Sequence, residues 1–332
     1  MIDKDEYIKR TQEQVTAHEK AIENGLSKLR STQNSTEYKA ALQAIPSVKE
    51  VEDVRKGMQL LTNKQEDTEV RLLVLRKARS AIGRNTEYIR DCFLIVQETD
   101  DQVELRRAIL SVLGAFSFGS REFVPLRPEY MTLLRSLLDD PDALIQERAA
   151  EELAKEKDEY VQRRLLDGLA GREQPIVPTA KAIQLLGYDI HAEHYPVVRK
   201  ILEDPRSDET TKVEAIHVLG NDAQSRDLLT ALMTDKQQPI EVRMTSATAM
   251  KTSNPDYFTH LAKSIVLDEQ EEPDLRAVCL NAMMHQSDPS ALYADDDFVQ
   301  KLTKVRSLTT SDALKQQSTG FLTKAMRHKP KG

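Results

Sequence analysis

Two histidines three positions apart, His191 and His194, flank Glu193. On a helix that spacing would present two metal ligands on one side. Here the pair lies in Gly187-Tyr188-Asp189-Ile190-His191-Ala192-Glu193-His194-Tyr195-Pro196, which reads as a solvated loop between helices. A metal site would need further Asp, Glu or His from another part of the chain. His18, His217, His260, His285 and His328 are scattered. Cys92 and Cys279 are too few and too far apart for a disulfide framework or a Cys-based zinc site, and read as two buried small hydrophobes. Asp295-Asp296-Asp297 lacks the D-x-D-x-D-G spacing of a calcium loop and reads as a solvated loop with an N-cap for a helix at Phe298. There is no G-x-S-x-G elbow, no G-x-G-x-x-G and no G-x-x-x-x-G-K-[ST]. The sequence therefore nominates no catalytic residue, no metal ligand and no cofactor.

The elements that would position any such chemistry are helices. The 332 residues are 39% hydrophobic and 30% charged, with 5% aromatic residues and no Trp. Only 11 Gly and 13 Pro occur, too few for the many turns of a sandwich or barrel. Val70, Val74 and Ala78 repeat at helical spacing, as do Leu105, Ile109, Val112 and Leu113, and no stretch sustains a period of two. The fold class is all-α. The 54 acidic and 47 basic residues leave a net charge of −7, without the basic excess that drives phosphate-backbone binding. Met1 to Glu6 opens without the apolar region of a secretory signal, and no apolar run approaches a membrane span of about 18 residues. The expected location is cytoplasmic.

A ten-residue pattern recurs along the chain: aliphatic, basic, x, x, small, x, x, small or aliphatic, Leu or Met, small. It appears as Leu105-Arg106-Arg107-Ala108-Ile109-Leu110-Ser111-Val112-Leu113-Gly114, and again from Thr211, Val242 and Leu275. Weaker copies start at Val70, Ile145, Pro178 and Leu314, and a degenerate ninth at Val54-Arg55. The four clear and four weaker copies average about 35 residues apart, the period of a repeat array. A short amphipathic segment precedes most copies: Met131–Leu138 before Asp139-Asp140-Pro141-Asp142, Val197–Leu202 before Glu203-Asp204-Pro205, and Leu228–Met233 before Thr234-Asp235-Lys236. Each unit reads as helix, turn, helix, and a lone pair cannot bury its apolar face without neighbours. Small residues at the fifth position, Ala149, Ala182, Ala215 and Ser246, let helices approach closely.

These units resemble HEAT repeats, including the short HEAT-like variety, over roughly residues 66–325. The Asp-Pro turn and the Val-Arg pair opening the second helix carry the resemblance. It implies a right-handed α-solenoid of eight or nine pairs, residues 35–332, with residues 1–34 as an extra N-terminal helix. It also implies a ladder in which the second-helix basic residue pairs with a turn Asp. Close by in sequence, Arg71 has Asp67, Arg106 has Asp101, Lys212 has Asp208 and Arg276 has Asp274. Gln146 and Pro178-Thr179 depart from the pattern, so the ladder is expected to break or bend there. HEAT-like arrays include deoxyhypusine hydroxylases, whose several His-Glu pairs hold two irons; this chain has only His18-Glu19, outside the repeats. They include alkylpurine DNA glycosylases, with a basic groove, Trp or Tyr and a catalytic Asp, and phycobilin lyases, for which no residue here speaks positively.

What remains is the chemistry of surfaces. In the resembled family second helices line a concave face, and positions three and seven of the pattern would point into it. In order these are Arg107/Ser111, Glu147/Glu151, Ala180/Gln184, Val213/His217, Met244/Thr248, Ala277/Asn281 and Gln316/Gly320. A groove of Val213, His217, Met244, Thr248, Ala277 and Asn281 suits a peptide or a helix better than a phosphate backbone. The long interval after residue 105 carries Phe116, Phe118, Arg121, Phe123 and Arg127 with Gly119 and Pro125, residues that either anchor a partner or cap the core from a 115–128 loop.

Residues 1–34 read as one charged helix with Ile8, Val15, Ile22 and Leu29 at seven-residue spacing. The second heptad position is poor (Thr11, His18, Gly25), which favours docking of the stripe over a coiled coil. Ser31 to Thr36 reads as a polar linker with an N-cap, and the basic tail Lys324–Lys331 as frayed and exposed. The function expected is a non-enzymatic cytosolic scaffold or adaptor for a protein or peptide. The alternatives are a HEAT-like enzyme or ligand binder, chromophore-lyase-like or base-excision-like, and a nucleic-acid-binding solenoid, against which the charge weighs. The oligomeric state is not set.

Overall fold

The computed structural model describes residues 4–32 and 34–328, with side chains from residue 11 onward except at 253. Met1–Asp3, the side chain of Ile8, Gln33 of the linker and the tail beyond His328 lie outside the described residues. Among those described, 76% are helical and no strand occurs. The chain forms two compact units, Met1–Val161 and Gln162–Gly332.

The first unit holds α1 (Lys4–Ser31), α2 (Ser35–Gln43), α3 (Val51–Thr62), α4 (Thr68–Ile82), α5 (Thr86–Gln97), α6 (Val103–Gly119), α7 (Arg127–Ser136) and α8 (Ala143–Lys155). Helix α9 (Glu159–Leu169) spans the boundary between the units. The second holds α10 (Thr179–Leu186), α11 (Tyr195–Glu203), α12 (Glu209–Leu219), α13 (Arg226–Thr234), α14 (Ile240–Ser253), α15 (Pro255–Leu267), α16 (Pro273–Met284), α17 (Ser290–Tyr293), α18 (Asp296–Leu308) and α19 (Asp312–His328). Consecutive helices pair: α3 with α4, α5 with α6 and α7 with α8 in the first unit, α11 with α12, α13 with α14, α15 with α16 and α18 with α19 in the second.

The four clear and four weaker copies of the pattern fall on α4, α6, α8, α10, α12, α14, α16 and α19, and all of these but α10 are the later helix of a pair named above. The degenerate copy at Val54 does not, because it lies in α3, the first partner of α4. Within each unit the pattern helices also pack on one another, α4 on α6 on α8, and α10 on α12 on α14 on α16 on α19. The packing follows from the pattern. In α16 the first, fifth and ninth positions, Leu275, Cys279 and Met283, are fully buried. Each such burial is worth about 1.5–3 kcal/mol for a large side chain. Side-chain caps start several helices: Asn85 accepts from the Glu87 and Tyr88 amides, Asp208 from Thr211, and Asp295 from Phe298.

The fifth position carries a cost at one site. Ser246 is wholly buried between helices, and its hydroxyl has no hydrogen-bond partner among the described residues. An orphaned buried hydroxyl destabilises by about 1–3 kcal/mol. Ser246→Ala is therefore expected to stabilise the second unit by about 1 kcal/mol in urea unfolding; a loss of stability would show that the hydroxyl is satisfied.

The N-terminal helix docks by its last third. Leu29 and Gly25 are buried against α2, α3 and the turn after α2, Ile22 is half-buried, and residues 11–21 are exposed. A Cβ at Gly25 would meet the Ile45 side chain at 2.2 Å, so any larger residue there requires Ile45 to shift. Arg30 donates to Asp53 across the same contact, and Asn34 supplies the linker's N-cap.

Two sequence expectations need correcting. The 115–128 segment is hardly a loop: α6 runs through Gly119, a 3-10 turn covers Arg121–Leu126, and α7 begins at Arg127. Its apolar residues explain this, since Phe116, Phe123 and Leu126 are all buried. The 187–196 histidines are not both solvated either. His194 is 1% exposed, accepts the His191 amide on Nδ1, and burial pushes its pKa down.

Candidate ligand-binding cleft and partner face

The second position of the pattern builds the most regular feature of the molecule. Arg71, Arg106, Arg243 and Arg276 are all buried, and each donates Nε to the carbonyl ten residues earlier, those of Leu61, Val96, Met233 and Val266. Those carbonyls belong to the last turn of the preceding helix and have no partner within it. In three cases the guanidinium also grips a carboxylate with both terminal nitrogens: Arg71 takes Asp101 at 2.6 Å twice, Arg106 takes Asp140, and Arg243 takes Glu271 at 2.8 and 2.7 Å. Fork-on-fork geometry of this kind is the strong form of an ion pair.

The ladder exists, but each acid comes from the next turn along, not from the nearby Asp that the resemblance suggested. The nearby Asp residues have other partners. Asp67 accepts the Glu69 and Val70 amides, Asp208 accepts the Thr211 amide, and Asp101 is held by Arg71 rather than Arg106. A helix-capping carboxylate faces its own helix end, whereas the arginine reaches across to the neighbour.

The ladder breaks at the two expected departures, Gln146 and Thr179, and also at Lys212, where a rung with Asp208 was expected. Gln146 donates to the Leu138 carbonyl in place of an arginine. Lys212 reaches only the amide oxygen of Gln238. At Thr179 no side chain reaches the Leu169 carbonyl among the described residues, and the residue before the next helix cap is Ser207, not an acid. Leu169, Thr179 and Ser207 line an open cleft of 750 Å³ in the second unit. Two small residues stand where an arginine and a carboxylate stand elsewhere, which leaves this volume unfilled. The inner wall is apolar, with Leu165, Ile176, Val177 and Ala182 buried.

The polar rim of the cleft is largely engaged. Arg206 pairs with Asp204, Arg164 with Glu173, and the Ser207 hydroxyl donates to the Ile201 carbonyl. Arg206 holds the Asp204 carboxyl down at about 2, and the Thr211 amide holds Asp208 below its usual range. Neither acid is poised to move a proton near neutral pH. No aromatic side chain lines the cleft. An apolar wall of this kind can exclude water from an apolar group. Its sequence signal was the pair Pro178-Thr179 at the broken ladder.

Among the predicted partner residues, His217, Thr248 and Asn281 are exposed on adjacent helices α12, α14 and α16. Val213 and Met244 are half-buried and pack on the core, while Ala277 is buried. In the first unit Phe118 is 80% exposed, and Arg121 and Arg127 are exposed beside it. Phe116 and Phe123 instead face inward and support the segment from beneath.

Both cysteines are buried and their thiols are pushed up to about 12 by burial, so neither is a nucleophile in the folded chain. No cluster of three His, Cys, Asp or Glu fit to hold a metal occurs among the described residues. No single helix among them is long and apolar enough to cross a membrane. No protein-family model and no curated protein matches the chain.

Proposed function

We propose that the chain is a HEAT-like, right-handed α-solenoid of eight or nine helical pairs. In this reading it is a non-enzymatic cytosolic scaffold or adaptor that binds a protein or peptide through its second helices and the exposed part of the 115–128 segment. The observation that carries the reading is the line of exposed, uncharged side chains on side-by-side helices. Gln184, His217, Thr248 and Asn281 are the seventh pattern positions of α10, α12, α14 and α16. Flanked by half-buried Val213 and Met244, they offer hydrogen bonds with an adaptable apolar margin, which suits an extended or helical peptide. Pattern copies on helices packed in order, α4, α6 and α8 in the first unit and α10, α12, α14, α16 and α19 in the second, support the solenoid.

The three exposed side chains can change without touching the core. The triple variant His217→Glu, Thr248→Glu, Asn281→Glu is expected to lose the partner that wild-type protein captures in a pulldown, with helical circular dichroism unchanged. Capture of the same partner by both proteins would refute the assignment of this face. The 750 Å³ cleft favours a second reading, a binder of a small apolar ligand. Thr179→Phe, on the exposed wall of the cleft, would then abolish ligand-dependent thermal stabilisation without affecting peptide capture.

A further inference from the structure

The three complete rungs define what a buried ladder arginine requires: one backbone carbonyl on Nε and one carboxylate across the two terminal nitrogens. Elsewhere arginine and acid are lost together, as at Thr179 with Ser207 and at Lys212 with Gln238. Arg276 alone breaks this rule. It is 7% exposed and its Nε holds the Val266 carbonyl at 3.0 Å, but no carboxylate bonds its terminal nitrogens among the described residues. Glu271, close by, is held by Arg243. In the complete rungs at Arg71 and Arg243 the acid is the residue just before the N-cap of the next pattern helix, Asp101 before Gln102 and Glu271 before Glu272. Helix α16 packs on α19, whose first turn is capped by Ser311, and the residue before that cap is Thr310. By that register Thr310 holds the place of the missing acid, and it is exposed.

We propose that Arg276, at the turn before α19, is a binding site for an external carboxylate, which completes the rung in place of the missing acid. A carboxylate fits because its two oxygens match the planar fork, as the other rungs demonstrate. A buried arginine stays charged and gains most from such a partner. Desolvation around Arg276 lowers its pKa, as expected for a cation without a bonded acid, with Asp268, Glu269 and Glu271 offsetting this from a distance.

The test is thermal unfolding of the full chain in sodium acetate, sodium phosphate or sodium chloride at matched ionic strength. A peptide carrying one glutamate, with its glutamine counterpart as control, is added in a further arm. Acetate is expected to raise the wild-type Tm above its value in chloride. Thr310→Asp, which supplies the acid within the chain, is expected to raise Tm by about 2–4 °C without ligand and to erase the acetate response. Arg276→Gln should erase it too. A response to acetate but not to the glutamyl peptide identifies a free small carboxylate as the source; a response to the glutamyl peptide identifies a protein side chain. An equal acetate response in wild type and Thr310→Asp overturns the site. Phosphate acting as strongly as acetate overturns the carboxylate assignment.

Discussion

Asp140→Ala is expected to destabilise the first unit by about 3–5 kcal/mol. The side chains of Arg106 and Asp140 are each 1% exposed, and the guanidinium grips the carboxylate with two nitrogens while Nε holds the Val96 carbonyl. Removing the acid leaves a guanidinium that cannot shed its charge and cannot reach water. The exposed pair Arg90–Glu129, at 51% and 47%, has similar geometry but sits in solvent, and Glu129→Ala should cost about 0–1 kcal/mol. Replacing both members, Arg106→Met with Asp140→Leu, should cost much less than Asp140→Ala alone, because an apolar pair needs no partner. Urea unfolding of the four proteins decides the matter. An Asp140→Ala loss no larger than that of Glu129→Ala would mean the pair is wet. The rungs also make the molecule acid-sensitive. Arg243 holds the Glu271 carboxyl below its ordinary range. That stability is present above the unfolded-state value of about 4.3 and is lost as pH falls through the lower folded value.

Phe123→Ala is the second large effect, expected at about 3–5 kcal/mol. The ring is 1% exposed and meets Phe93 edge-on at 6.0 Å and Tyr130 edge-on at 5.0 Å, while Phe93 and Tyr130 stack at 5.8 Å. The three rings tie α5, the 3-10 turn and α7 together, and truncating the central one leaves a cavity that helices cannot close. Phe118, five residues earlier and 80% exposed, should cost within about 0.5 kcal/mol when truncated to Ala. The pair of measurements separates the core role of this segment from any partner role: Phe118→Ala would weaken partner capture without changing stability. Equal losses from both variants would mean that the segment is not anchored by Phe123.

The helices were legible because their signals are local. Leu105, Ile109 and Leu113 recur at helical spacing, and all three are buried. Asn34 and Asp295 announced caps that form. The pattern's register was legible for the same reason, since each of its eight copies marks a helix. The segment around Phe116 was harder. Composition suggested a loop, but Phe116 and Phe123, seven residues apart, can equally be the buried side of a helix end and the turn after it, and only the neighbours at Gly83 and Phe93 decide which.

The sequence by itself determined the helical elements, their order and the second-position arginines, because periodicity and capping act over four to ten residues. Tertiary structure alone decided which acid each arginine holds, that Thr179 and Ser207 leave a cleft, and that no acid among the described residues bonds Arg276. Those outcomes depend on which turn packs against which helix some thirty residues away, and a buried guanidinium answers to its neighbours in space rather than along the chain.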